Sequence, residues 1–105
     1  MAFNDTPTEL FASYNLDGSD NMVIPIASVD NLSSAEADAS TGDSRKILRS
    51  IGQRAFDWYD GLAAADQPEY LTVRRSVSSL GSGQDRLTIT LEFTTTGTFE
   101  VDDEP

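Results

Sequence analysis

Two stretches of this chain carry regular hydrophobic spacing, and they predict different elements. Between residues 43 and 65, Ile47, Leu48, Ile51, Ala55, Trp58, Tyr59 and Leu62 recur three and four positions apart, the spacing of one helix face. Ser40 or Thr41 can cap the start, Asp43 places an acid in the first turn, and Asp66-Gln67-Pro68 ends the run. The spacing predicts an amphipathic helix of about six turns, weakened in the middle by Gly52. Residues 70–79 and 85–95 change the period to two. Leu71, Val73 and Val77 alternate with Thr72, Arg74 and Ser76, and Leu87, Ile89, Leu91 and Phe93 alternate with Thr88, Thr90 and Glu92, as half-buried strands do. Leu80-Gly81-Ser82-Gly83-Gln84 is a glycine-bearing connection suited to a hairpin. Setting Val77 opposite Leu87 also sets Val73 opposite Leu91 and Leu71 opposite Phe93, with Thr72 beside Glu92 and Arg74 diagonal to that carboxylate. The same register leaves Arg75 on the apolar face opposite Ile89, without an evident partner in a single chain.

Residues 1–42 lack such periodicity. Pro7, Gly18 and Pro25 punctuate them, and Asp17-Gly18-Ser19-Asp20-Asn21 reads as a turn. Met22-Val23-Ile24-Pro25-Ile26 is a short strand candidate that Pro25 confines to an edge or to a contact with a neighbouring chain. Ser33-Ser34-Ala35-Glu36-Ala37-Asp38 suits a short helical turn capped by a serine. The expected fold is α+β. An extended N-terminal arm (1–42) carries a short edge strand, and a domain over 43–101 packs one long amphipathic helix on a small antiparallel β-hairpin. The Met22–Ile26 strand is a candidate addition to that sheet, Phe99 and Val101 extend it briefly, and residues 102–105 form an acidic tail.

Composition narrows the chemistry. Leu, Ile, Val and Phe supply 24 of 105 residues and the hydrophobic total is 38%, below the usual ~45–50%. A core this lean gives a lone subunit little margin, so an oligomer or larger assembly is expected. With neither Cys nor His, the sequence has no thiolate nucleophile, Cys-based zinc site, imidazole base or histidine metal ligand. The formal charge of −11 repels phosphate backbones and anionic lipid surfaces, which argues against nucleic acid and membranes as partners. The cations are six Arg and the single Lys46, an acidic, Lys-poor surface that suits a saline environment. Nothing approaches the ~20 apolar residues of a membrane span, and Met1-Ala2-Phe3-Asn4-Asp5 lacks the basic start of a signal peptide, which predicts a soluble chain made in the cytoplasm.

The remaining candidates for chemistry are weak. Asp57 and Asp60 flank Trp58 and Tyr59, but a two-acid hydrolase needs a cleft and a raised-pKa acid, and helical spacing turns at least one of these to solvent. Asn15–Asn21 has the acids and glycine of a calcium loop, yet Gly18 follows Asp17 directly and no suitably placed Glu closes the loop, so a turn is favoured over an irregular calcium site. Gly81-Ser82-Gly83 precedes no helix and carries no Lys-Ser or Lys-Thr, so it is not a phosphate loop. No catalytic residue, cofactor or metal ligand is assigned, and the chain is read as a non-enzyme. Binding residues are easier to name. Arg45, Lys46, Arg49 and Arg54 place four of the seven cations on one helix, either as a solvated face or as a basic stripe facing acidic surface on another subunit. Core packing accounts for Trp58 and Tyr59, while Phe56 divides between core and interface. With Ile24, Pro25 and Ile26 of the edge strand, these cations and Phe56 are the predicted partner-binding residues.

The order of Ile24-Pro25-Ile26-Ala27-Ser28, then Ala35-Glu36-Ala37-Asp38-Ala39-Ser40-Thr41-Gly42-Asp43, then the helix and the Thr-rich hairpin, covers roughly residues 20–95. It resembles small accessory structural proteins in the virions of tailed bacteriophages, especially marine ones. That resemblance implies a non-enzymatic virion protein assembled in the host cytoplasm, most often a capsid cement or decoration protein. Three or more copies would bind one another and the major capsid protein or another virion protein. A tail or head–tail connector component is the alternative within the class. A small bacterial binding or regulatory module that dimerises through the helix is the alternative outside it.

Overall fold

The computed structural model describes residues 6–97 and Pro105. The sheet extension expected at Phe99 and Val101, and the tail residues 102–104, lie outside the described residues. In chain order the elements are α1 (Pro7–Leu10), β1 (Asn15–Leu16), β2 (Met22–Val23), a 3-10 turn at Ile26–Ser28, α2 (Ser44–Gly61), a second 3-10 turn at Ala64–Asp66, β3 (Leu71–Gly81) and β4 (Gln84–Phe93). One long helix with two small antiparallel sheets makes the fold α+β.

The β3–β4 pairing follows the register expected from the alternation, with Leu71 opposite Phe93, Val73 opposite Leu91, Arg75 opposite Ile89 and Val77 opposite Leu87. On the polar face Arg74 Nη2 lies 2.9 Å from Glu92 Oε1. The connection is tighter than the expected five residues. Gly81 pairs with Gln84, and an irregularity at Leu80 absorbs the extra residue. Ser82 and Gly83 both have positive φ, 55° and 74°, the requirement of a two-residue turn whose twist matches its strands.

α2 begins later than the serine and threonine caps suggested. The Asp38 carboxylate takes the Ser40 and Thr41 amides at 2.8 and 2.9 Å, which commits that stretch to its own turn. Asp43 therefore caps the helix, and its carboxylate accepts from the Arg45 amide at 2.9 Å. The helix also ends early. Leu62 keeps the apolar spacing but has extended backbone (φ −82°, ψ 143°), so α2 has 18 residues, about five turns.

The N-terminal segment makes a separate ribbon in which Asn15 pairs with Val23 and Leu16 with Met22. The strand expected over Met22–Ile26 is thus confined to Met22–Val23 and does not join the β3–β4 sheet. Pro25 ends it by leading into the 3-10 turn, where its carbonyl accepts from the Ser28 amide at 2.9 Å. Ser33 and Glu36 form the reciprocal cap of a single helical turn: the Ser33 amide donates to Glu36 Oε1 at 2.9 Å and the Glu36 amide to Ser33 Oγ at 3.2 Å.

This segment is tied to α2 through main-chain carbonyls. Arg54 Nε donates to the Leu10 carbonyl at 2.6 Å and Nη2 to the Glu9 carbonyl at 3.2 Å. The buried Ser50 donates its hydroxyl to the Asp30 carbonyl. Among the described residues the buried apolar side chains are Phe11, Val29 and Val73. Two of the three thus come from the N-terminal segment, and the core is as lean as the composition suggested.

Candidate functional site

The odd-numbered face of the hairpin turns toward α2, but the helix covers only part of it. A Cβ on Gly52 would stand 3.4 Å from Ile89 Cδ1, so helix and sheet touch there with ordinary van der Waals spacing. Val73, nearer the C-terminal half of α2, is 4% exposed. Toward the helix N-terminus the two diverge. Leu48 is 70% exposed and Val77 57%. Between them runs a groove of about 750 Å³ lined by Leu48, Gly52, Val77, Leu87, Ile89 and Leu91. Its charged groups are Arg49, Arg75 and Asp85. Phe93, 66% exposed, continues the apolar face beyond Leu91. Alternation alone assigned these residues to the core. The missed signal was supply: eight facing strand positions need more cover than one helix with Gly52 at its middle gives.

The expected cation stripe divides in two. Arg45 and Arg49 are one helical repeat apart, whereas nine positions at 100° each put Arg54 about 180° round from Arg45. Arg45 bonds the capping Asp43 (Nη2 to Oδ2, 3.3 Å), and Lys46 bonds Glu36 across to the N-terminal segment (3.0 Å). Arg54 is spent on the Leu10 and Glu9 carbonyls. Arg49 has no ion pair among the described residues and lines both the apolar groove and a polar cleft of about 470 Å³ with Asp30, Asn31, Glu36, Lys46, Ser50 and Gln53.

The other predicted binding residues lie apart from the groove. Ile24 and Pro25 are half-buried and Ile26 is exposed. Phe56 is half-buried, and the Arg75 guanidinium sits over its ring, 5.5 Å from Cζ to the centroid. That contact supplies, within one chain, the partner Arg75 lacked in the sequence. Tyr59 donates its hydroxyl to the Leu71 carbonyl at 3.1 Å, which ties the helix to the hairpin, and its ring meets Trp58 edge-on at 6.4 Å.

The acids serve local structure. Asp17 accepts from the Ser19 amide (2.7 Å), the Asn21 amide (2.9 Å) and Asn21 Nδ2 (3.0 Å), and the Asn21 hydrogen bonds hold its carboxyl below the usual range. The Asn15–Asn21 loop is therefore organised around its own donors. A side-chain hydrogen bond couples Asp30 and Asp57: it raises the Asp30 carboxyl and lowers that of Asp57, which also accepts from Gln53 Nε2 at 2.9 Å. Among the described residues no group of three or more acids is arranged to hold a metal ion, and no helix is long and apolar enough to cross a membrane.

Comparison of the chain with protein-family models, with curated proteins and with solved structures finds no match. The arrangement defines an α+β protein whose prominent surface feature is an open, apolar, cation-edged groove.

Proposed function

We propose that this chain is a non-enzymatic virion structural protein of the capsid cement or decoration type, joining copies of itself and bridging capsid subunits. The observation that carries the reading is the half-covered apolar face from Leu48 and Val77 to Phe93. An apolar face left open on a soluble subunit is a contact surface. A chain with three buried apolar side chains among its described residues gains stability by having that face covered. The acidic surface limits which faces come together. Like-charged copies repel, so contact is directed to the groove, where Arg49 and Arg75 outnumber Asp85.

Two measurements test the proposal. Mass spectrometry of purified virions should find the chain at a copy number commensurate with the capsid lattice. Added to heads that lack it, the protein should bind and raise the temperature at which they open. Presence only in isolated tails or connectors would move it to the alternative virion position. Absence from virions, with a stable dimer in solution, would favour the small bacterial module.

A further inference from the structure

We infer that the groove between α2 and the hairpin receives the C-terminal segment Phe99-Glu100-Val101-Asp102-Asp103-Glu104 of a second copy of this chain. The inference deepens the assembly reading and rests on the part of it that concerns self-association, not on where the assembly sits.

Three observations select this occupant. The first is the match of pattern. The groove has an apolar floor of Val77, Leu87, Ile89 and Leu91, with Leu48 on its rim, and its volume of about 750 Å³ falls within the ~300–1,000 Å³ of sites that enclose sizeable ligands. The segment has apolar Phe99 and Val101 two positions apart with Glu100 between them, a spacing that an extended chain would present on one side.

The second is charge. The segment carries four carboxylates, Glu100, Asp102, Asp103 and Glu104, and no cation. The groove has Arg49, free of ion pairs among the described residues, and Arg75, whose guanidinium also sits over the Phe56 ring. Asp85 is the groove's carboxylate and stands near the hairpin turn, which directs the acidic run toward the arginines. On a molecule of formal charge −11 few surfaces attract such a run.

The third is reach, which makes the contact intermolecular. The Thr94 amide still bonds the Tyr70 carbonyl at 2.9 Å, so the chain leaves the sheet at the end opposite the hairpin turn. Phe99 follows Thr94 by five residues, at most ~18 Å of chain. Leu87, opposite the exposed Val77 in the groove, lies six strand positions back from Phe93, ~20 Å away, and reversing direction uses at least two further residues. A chain's own Phe99 therefore falls short of that exposed end of its groove, while a neighbour's is not so limited.

The test uses full-length chains and sedimentation or light-scattering mass. Phe99→Ser removes the proposed anchor, and Leu48→Glu places a like charge on the exposed groove rim. Each should weaken self-association about tenfold or more, equal to ~1.4 kcal/mol, with an unchanged circular dichroism spectrum. Mixing the two variants should restore association in part, because the intact tail of the second enters the intact groove of the first. Wild-type association should also weaken from low to high salt as the arginine–carboxylate attraction is screened. A wild-type chain that stays monomeric at all concentrations overturns the inference, while virion mass spectrometry still decides the proposed function. Association unchanged by both variants also overturns the tail contact but leaves an assembling protein. Two variants that each fail and do not complement overturn it as well.

Discussion

Arg75 lies on the apolar face of the hairpin with its guanidinium over the Phe56 ring, 5.5 Å from centroid to Cζ. The side chain stays exposed to solvent, so its charge is not buried there. Here the ring face is one partner, and Asp57 on the same helix turn is attracted to the same charge. The contact joins β3 to α2 beside the groove, and it explains why an arginine interrupts the alternation of Leu71, Val73 and Val77.

Arg75→Gln should therefore destabilise the chain by about 0.5–1 kcal/mol, the range for a cation over an aromatic face at an exposed site. Arg75→Lys should lose less, since a cation remains within reach. Urea unfolding followed by Trp58 fluorescence measures both. Equal losses for Gln and Lys would assign the cost to guanidinium packing instead of charge.

Arg54 reaches past the helix surface to two carbonyls of the N-terminal segment. Hydrogen bonds from a charged donor contribute about 1.5–3 kcal/mol, and here they restrain α1 and the buried Phe11 behind it. Arg54→Met should release that segment first. Amide exchange should quicken at Phe11, whose amide bonds the Pro7 carbonyl at 2.8 Å, while β3 and β4 keep their protection. Uniform loss across the chain would show that the segment and hairpin unfold as one unit.

These contacts also show which parts of the fold were legible in the sequence. The hairpin was, down to its register, because alternation, a Thr–Glu neighbour pair and a diagonal arginine all required the same alignment. The middle of α2 was legible for the same reason, but its ends were not. Apolar spacing runs on through Leu62 although the backbone leaves the helix, and the two candidate caps, Ser40 and Thr41, have their amides claimed by Asp38. Much of the docking of residues 6–42 left no sequence trace because, beside the Lys46–Glu36 ion pair, it uses the Glu9, Leu10 and Asp30 carbonyls, which any residue provides. The groove was hidden differently. Leu48, Val77 and Leu91 have core-like spacing, and only the geometry shows that α2 leaves them uncovered.

Gly42 occupies the junction between the Asp38 turn and the α2 cap. A Cβ there would collide with the Glu36 carbonyl oxygen and stand 2.5 Å from that of Asp38. Both are main-chain atoms, held by the Asp43 amide to Glu36 (2.9 Å) and the Gly42 amide to Asp38 (3.0 Å). Gly42→Ala should cost about 1–3 kcal/mol, as forced overpacking does. Gly18→Ala is the control, since nothing lies within 4 Å of a Cβ there. Thermal unfolding of the pair decides it: equal melting temperatures would mean that the junction relaxes without loss.

The last prediction concerns acid. Backbone hydrogen bonds from Asn21 to Asp17, from Ser40 to Asp38 and from Ser33 to Glu36 lower those carboxyls, and the Arg45 side chain lowers Asp43. For each, the unfolded chain binds more protons between the lowered value and the ordinary 3.8 of Asp or 4.5 of Glu. Stability from these groups is thus complete above the ordinary values and is lost as pH falls through the lowered ones. Asp57 acts in the same sense. Asp30 acts in the opposite sense: the hydrogen bond to Asp57 raises it, so the folded chain binds more protons above 3.8, and its contribution is lost as pH rises through the raised value. The melting temperature should therefore climb with pH through the lowered values toward the ordinary ones, and the Asp30 contribution should be lost as pH rises through that group's raised value. Because the carboxylates are at the surface, the climb should shrink in high salt. Asp30→Asn keeps a donor for Asp57 but has no proton to release, so the later loss should vanish while the climb remains. A variant whose profile superimposes on the wild type across the whole range would remove Asp30 as the source of the decline.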